Sequence, residues 1–321
     1  MEILAPVNDY QHLPLLLEAG AKEVYLGGDD ELFKLFSFTG RGKYAYDGTQ
    51  ILRSFEEVAE ICKYAHSHGA LVNFLGNIPF FTGGVYLQES MEAHFLRYIE
   101  QGLKAGADAV VIGDIGLIKS VHKAFPGVPI HASVYLRTLN RQQLLWLQEM
   151  GATRTVLSYH IVLEEIEALC KADIMEIEVI GYLGCSFFNG NCNFLHEFGE
   201  GLLDDYDPGI ACKGIYCVSD EDHCETFKFF DTEAGCAACS LSRLEKSGVT
   251  ALKIVGRGRD PQQIANVIQM YKQCIDAARK DPEYVFDTSG VSPIWKKIWC
   301  SKSSCKYNKK KNRNYSFYIG G

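Results

Sequence analysis

Short apolar runs recur along the chain, and most are separated by stretches with apolar residues every three or four positions. The runs are Glu2–Ala5, Glu23–Leu26, Ala70–Leu75, Ala109–Ile112, Pro129–Ser133, Arg154–Leu157, Glu176–Ile180 and Ala251–Val255. Runs of this length read as buried strands, and the intervening period reads as amphipathic helix. Gly20, Gly69, Gly106, Gly151 and Gly248 each stand between a helical pattern and the next run, the position of a left-handed helix C-cap. Alternation of strand and helix predicts a parallel sheet, and eight units predict closure into a (β/α)8, TIM-like barrel. An open doubly wound sheet is the alternative. No G-x-G-x-x-G stands at the first turn to support a dinucleotide fold.

Spacing locates the insertions. About forty residues separate runs two and three, and about seventy separate runs seven and eight. Segments that follow strands occupy the barrel face on which active sites lie. Past the eighth run, DPQQIANVIQMYKQCIDAARKDP keeps helical spacing and completes the outer ring. Residues 1–284 therefore form the barrel, with 181–248 as a cysteine-rich insertion, and 285–321 form a C-terminal tail.

Hydrophobic residues make up 47% and charged residues 22%, a balance suited to a cored globular chain. No run reaches the ~18 apolar residues a membrane span requires, and the opening MEILAPVNDY lacks the basic start of a secretory signal. These features predict a cytoplasmic protein whose twelve cysteines are reduced thiols or ligands rather than disulfides. A net charge of −8 argues against a general nucleic-acid coat, though a local basic groove for RNA is not excluded. The exception is the tail, where Lys306, Lys309, Lys310, Lys311 and Arg313 form a basic run. It reads as a solvated terminus, with contact to an anionic partner as the alternative.

The cysteines carry the candidate chemistry. Cys185, Cys192, Cys212, Cys217, Cys224, Cys236 and Cys239 all fall in the long insertion. Cys62, Cys170 and Cys274 lie on helices and read as small core hydrophobes. Cys236 and Cys239 make a C-x-x-C pair, able to bring two sulfurs to one metal or one disulfide. A zinc site usually draws two such pairs, and only one is present. Wide, irregular spacing from a long loop suits an iron–sulfur cluster; zinc and a redox or structural role remain the other readings.

The opening MEILAPVNDYQHLPLLLEAGAKEVYLGG resembles the start of the peptidase U32 family. GADAVVIGDIGLI, FPGVPIHASV, GATRTVLSYHIVLEEI, IACKGIYCV and GVTALKIVGRGR are similar to further family blocks. The resemblance covers nearly all of residues 1–285. It implies a barrel and, as in several members, a four-cysteine [4Fe–4S] cluster. Those members hydroxylate RNA bases or quinone precursors without oxygen gas, with prephenate as the oxygen source. The short length and the CKGIY block resemble the ubiquinone-pathway hydroxylation subunits. The name of the family raises a collagenase-like peptidase as a further reading, although no H-E-x-x-H or G-x-S-x-G is present.

The resemblance implies Cys185, Cys192 and Cys212 as ligands, with Cys239 or its neighbour Cys236 as the fourth. Two family pairs are altered: "H-G" is Gly181-Tyr182 here, and "R-E" is Tyr159-His160. A changed substrate follows, or a non-catalytic role in a heterodimer with a second family member.

Lys253 and Arg257, in KIVGR, resemble the family's "KIEGR", with Arg259 beyond. A lysine inside an apolar strand needs a partner. It reads either as a buried ion pair or, with the arginines, as a clamp for a small carboxylate such as prephenate. His131 ends strand five, where catalytic residues sit; a hydrogen-bonded barrel histidine is the alternative. Asp114 is a helix N-cap or a substrate contact. Tyr159, His160 and Asn77 are weaker candidates on the same rim.

Overall fold

The structure, a computed structural model, describes residues 1–7, 9–30, 53–77, 90–159, 161–183, 216–219, 224–227, 235–256, 259–281, 283–289, 291–300 and 306–307. Its first seven strands are β1 (Glu2–Pro6), β2 (Glu23–Leu26), β3 (Leu71–Gly76), β4 (Ala109–Ile112), β5 (Ile130–Ala132), β6 (Arg154–Val156) and β7 (Glu176–Tyr182). The long insertion then contributes an antiparallel hairpin, β8 (Tyr216–Ser219) with β9 (Cys224–Phe227), and β10 (Ala251–Ile254) follows. The eight barrel strands close in the order β1-β10-β7-β6-β5-β4-β3-β2, every neighbouring pair parallel. Each predicted run coincides with one of these strands to within about two residues. The hairpin has no counterpart among the predicted elements.

Helices α1 (Leu13–Glu18), α2 (Phe55–Ser67), α3 (Met91–Lys104), α4 (Ile115–Ala124), α5 (Arg141–Met150), α6 (Leu163–Lys171), α7 (Leu241–Lys246) and α8 (Pro261–Lys280) surround the sheet. Their starts are written locally. Ser54 and Glu57 form a capping box on α2, while Ser90, Asp114, Asn140 and Asp260 each accept a backbone N–H at an N-cap. Their ends meet the glycine expectation. Gly20, Gly69, Gly106, Gly151 and Gly248 all have positive φ, between 68° and 115°, which a side chain with a Cβ adopts at a cost.

Strand alternation sorts the core into two parts. Ile3, Val24, Val72, Phe74, Ile112, Val179 and Leu252 face outward and pack under the helices. Leu4, Tyr25, Leu75 and Val111 form a cluster inside the barrel, and Val134, Val156 and Ile180 form another. Helix α8 buries Ile264, Val267, Ile268, Tyr271 and Ile275 as the closing member of the outer ring. Each such fully buried aliphatic side chain contributes ~1.5–3 kcal/mol of hydrophobic stabilisation.

Part of the segment beyond residue 285 packs on the barrel. Trp295 stacks on Tyr182 with ring centres 5.8 Å apart, Tyr307 donates its hydroxyl to Ile180 O at 2.9 Å, and Lys306 N donates to Cys236 O at 3.0 Å. No helix among the described residues is long and apolar enough to cross a membrane.

Candidate functional site at the barrel mouth

The lower half of the barrel interior holds a layer of ionised groups. Glu23 and Arg154 open strands β2 and β6, which are not neighbours in the sheet, so their contact spans the lumen. Arg154 donates through Nη1 and Nη2 to the two carboxylate oxygens of Glu23, at 2.6 and 3.1 Å, and through Nε to Glu176 at 2.6 Å. Asn73 Nδ2 donates to Glu23 at 2.8 Å. Lys253 Nζ lies 3.2 Å from Glu178 and 4.2 Å from the centre of the Tyr25 ring. Glu23, Asn73, Arg154, Glu178 and Lys253 are all buried. The carboxylates beside Arg154 hold its guanidinium above the ordinary range despite burial.

His131 belongs to this interior, beside Arg154 in the β5–β6 register. It is buried, and its Nδ1 has no hydrogen-bond partner. Burial first, then the charges of Arg154 and Lys253, hold its pKa well below the ordinary value. The imidazole is therefore neutral at pH 7.

Above the ionic layer lies an apolar one, where Val134, Val156 and Ile180 pack with Tyr135, Tyr159 and Val255. Beyond it, at the C-terminal ends of the strands, the structure places the other candidates. Asp114 accepts from Leu117 N at 2.9 Å as the cap of α4. Tyr159 packs on the apolar layer, with Lys306 Nζ 4.3 Å above its ring. Arg259 is exposed and lines a small pocket with His12, Leu16 and Ile264. The Oδ1 of Asn77 is buried without a partner. His160 and Arg257 lie outside the described residues.

Two rim residues have no signal in the sequence. Arg137 has left-handed backbone, φ 51° and ψ 48°, with Nε buried and unpartnered; a non-glycine residue held there marks a constrained loop. Lys306 is buried at the mouth although it belongs to the basic run.

The cysteines separate by environment. Cys62, Cys170 and Cys274 sit on helices among core side chains. Burial raises the first thiol to about 12 and the second to about 11, and raises the third as well. These are packing residues. Cys217 on β8 is exposed and disulfide-bonded, so the expectation of reduced thiols is not met there. Cys185, Cys192 and Cys212 lie outside the described residues, and among the described residues no three metal-ligating side chains converge.

Cys236 and Cys239 follow the insertion just ahead of α7. Cys239 is exposed, whereas Cys236 is buried at the end of β7, where it bridges Tyr182. Its Sγ accepts from Ala238 N at 3.3 Å and lies 3.3 Å from the Tyr271 hydroxyl, which donates to Gly181 O at 2.9 Å. Cys236 thus packs within the apolar core, and Cys239 is exposed ahead of α7.

A closed barrel of eight parallel strands ringed by helices, with Cys236 beside the end of β7, defines a TIM-type fold. The chain belongs to peptidase family U32, whose sequence model matches residues 8–311. It is 26% identical over 287 residues to the 23S rRNA 5-hydroxycytidine C2501 synthase of Escherichia coli K12, covering 86% of this chain and 39% of that protein. It is 30% identical over 248 residues to the tRNA hydroxylation protein P of the same strain, covering 61% and 54%. The chain thus spans about two-fifths to half the length of these curated relatives. Among solved structures, the U32 peptidase Mk0906 superposes with a TM-score of 0.51 at 15% identity, covering 81% of this chain and 94% of that one. That likeness concerns the fold alone.

Proposed function

We propose that this chain holds a [4Fe–4S] cluster at the mouth of its barrel and takes part in the oxygen-independent hydroxylation of an aromatic ring, with an RNA base as the substrate class. The observation that carries the reading is the buried Cys236 beside the end of β7, its sulfur hydrogen-bonded by Ala238 N, in a U32 barrel. The curated relatives named for hydroxylation of ribosomal and transfer RNA supply the reaction class. Cys185, Cys192, Cys212 and Cys236 are the proposed ligands. When bound, the cluster supplies redox or Lewis-acid chemistry.

The chain's own residues would do the rest. The apolar layer of Val134, Val156 and Ile180 closes the floor of the site against water. The ionic layer below holds that floor rigid. His131 and Lys253 support the site from this layer, because Lys253 is already engaged by Glu178 and Tyr25. Arg137 and Arg259 at the rim offer guanidinium groups to an anionic co-substrate such as prephenate, or to the phosphates of RNA.

The test is anaerobic purification with iron and sulfide analysis and a visible spectrum, followed by nucleoside analysis of RNA from cells with and without the gene. The expected result is about four irons per chain and a hydroxylated nucleoside that disappears with the gene. A colourless protein carrying one zinc ion overturns the reading.

The altered pairs Gly181-Tyr182 and Tyr159-His160 favour one second reading, a cluster-bearing subunit whose partner, another U32 chain, performs the chemistry. Turnover by the isolated chain excludes it.

A further inference from the structure

Arg137 stands at the C-terminal face, where the chain leaves β5 for α5, and its backbone is held from both sides. It follows the 3-10 turn Val134–Leu136, which Ser133 caps by accepting from Tyr135 N at 3.3 Å. Arg137 N donates to Val134 O at 3.1 Å. Gln143 of α5 accepts from Leu139 N at 2.8 Å and donates to Arg137 O at 3.5 Å. Thr138, the next residue, is buried and tied to β6: its O accepts from Ser158 N at 3.0 Å, and its hydroxyl lies 2.9 Å from that of Thr155. These contacts fix Arg137 at φ 51° and ψ 48°, a left-handed conformation that is costly for a residue with a Cβ.

The side chain carries a second cost. Arg137 is partly buried, and its Nε, shut off from water, has no acceptor. Its two Nη groups reach solvent and have no acceptor in the protein either. An arginine swung out into water would satisfy all its N–H groups, so a buried orphan Nε needs a reason. Among the described residues, Arg53 and Arg154 are the other arginines that are not exposed, and they pair with Asp9 and Glu23. Arg137 pairs with no carboxylate. Two positions before it, Tyr135 packs with Tyr159 on the apolar floor of Val134, Val156 and Ile180, and Lys306 Nζ lies 4.3 Å above the Tyr159 ring. The strained loop thus holds an unpaired guanidinium at the edge of an aromatic floor, with a second cation on that floor.

We propose that Arg137 is the oxyanion-binding residue of the barrel mouth. Its two Nη groups take both oxygens of one carboxylate or phosphate, and the flat ring of the same ligand lies on the floor of Tyr135 and Tyr159. A planar fork matches such a pair of oxygens, whereas an ammonium meets them as a point charge. Backbone strain and the orphan Nε are then the cost of holding the fork in place before the ligand arrives. This deepens the reading of the site given above: it rests on that reading for the position of the ligand, and it needs neither a cluster nor turnover.

Titration calorimetry on the anaerobically purified full chain tests it with three probes. Uridine 5′-monophosphate presents a phosphate, phenylpyruvate presents a carboxylate, and uridine presents a ring without charge. The expected result is that at least one of the two anions binds the wild-type chain. Its affinity falls about tenfold or more in Arg137→Gln, recovers only in part in Arg137→Lys, and is unchanged in Arg141→Gln, an exposed arginine at the start of α5. Uridine does not distinguish the variants. The anion that responds tells a nucleotide phosphate from a small ring-bearing acid. Equal affinities in wild type and Arg137→Gln overturn the proposal, as does a wild-type chain that binds neither anion. A colourless zinc-bearing chain that still loses anion binding with Arg137 overturns the cluster reading and leaves this one standing.

Should Arg137→Gln fail to fold, Arg137→Gly supplies the second variant, because glycine adopts this backbone without the steric cost. Its thermal midpoint is expected at or above that of the wild type, with anion binding lost. A midpoint well below the wild type's, with anion binding kept, makes the arginine a structural group and overturns the proposal.

Discussion

Arg154→Met removes the cation that neutralises a buried carboxylate, and the structure sets the size of the effect. Glu23 is 5% exposed and receives two hydrogen bonds from Arg154, at 2.6 and 3.1 Å. After the substitution only Asn73, at 2.8 Å, remains of the contacts described for it. Removing one partner of a buried pair costs about 3–5 kcal/mol, because the other charge is left in a poorly solvated place. The Glu176 contact adds little, since its side chain is half exposed and such pairs contribute ~0–1 kcal/mol. Glu178 loses a longer contact to Arg154, at 3.8 Å, but keeps Lys253 at 3.2 Å, so most of the damage falls on Glu23. The companion variant carries Arg154→Met with Glu23→Leu, which replaces the pair by apolar side chains and recovers most of the loss. Urea unfolding of wild type, both single variants and the double variant reads the four free energies by linear extrapolation. A single-variant loss below about 1 kcal/mol would refute the reasoning, as would a double variant that falls by the sum of the singles.

Three further outcomes are expected. His131 is neutral in the fold and protonated in the unfolded chain below about pH 6.5, so the unfolded state binds the extra proton. Stability therefore falls as pH falls through that window, by up to about 1.4 kcal/mol per pH unit from this group. In His131→Gln, denaturation measured from pH 7 to 5 shows a shallower decline; an identical slope disproves the assignment. A Cβ on Gly102 of α3 would lie 2.4 Å from the buried Phe74 ring, so Gly102→Ala lowers stability by about 1–3 kcal/mol through overpacking, despite the better helix propensity of alanine. A thermal melt at or above the wild-type midpoint contradicts this. Cys236→Ala loses the cluster and Cys239→Ala retains it; the reverse pattern in iron analysis makes Cys239 the fourth ligand.

The barrel itself was legible because its instructions are local. Runs such as Ala109–Ile112 and Ala251–Val255 announce strands by their own apolar side chains. The glycines after the helices announce turns by the backbone they permit, and Asp114 announces the start of α4 by a bond to a residue three positions on. The site was legible in part. Lys253 stood out because an apolar run does not hold a lysine without a partner, yet that partner, Glu178, is 75 positions earlier in the chain. Tyr271 read as one apolar position among many in the period of α8. Lys306 read as one charge in a basic tail.

The sequence alone thus determined the number and order of the barrel strands, their alternation with helices, the parallel sheet and the place of the long cysteine-bearing insertion. These depend on periodicity and on contacts between near neighbours in the chain. Only the tertiary structure decided that Arg154 answers Glu23 across the lumen, that His131 is neutral between two cations, and that Cys236 rather than Cys239 lies buried beneath Tyr271. Closure of the sheet sets those contacts, because it brings strands and helices distant in sequence onto one interior. There, low solvent access makes every unmatched charge or hydrogen bond costly.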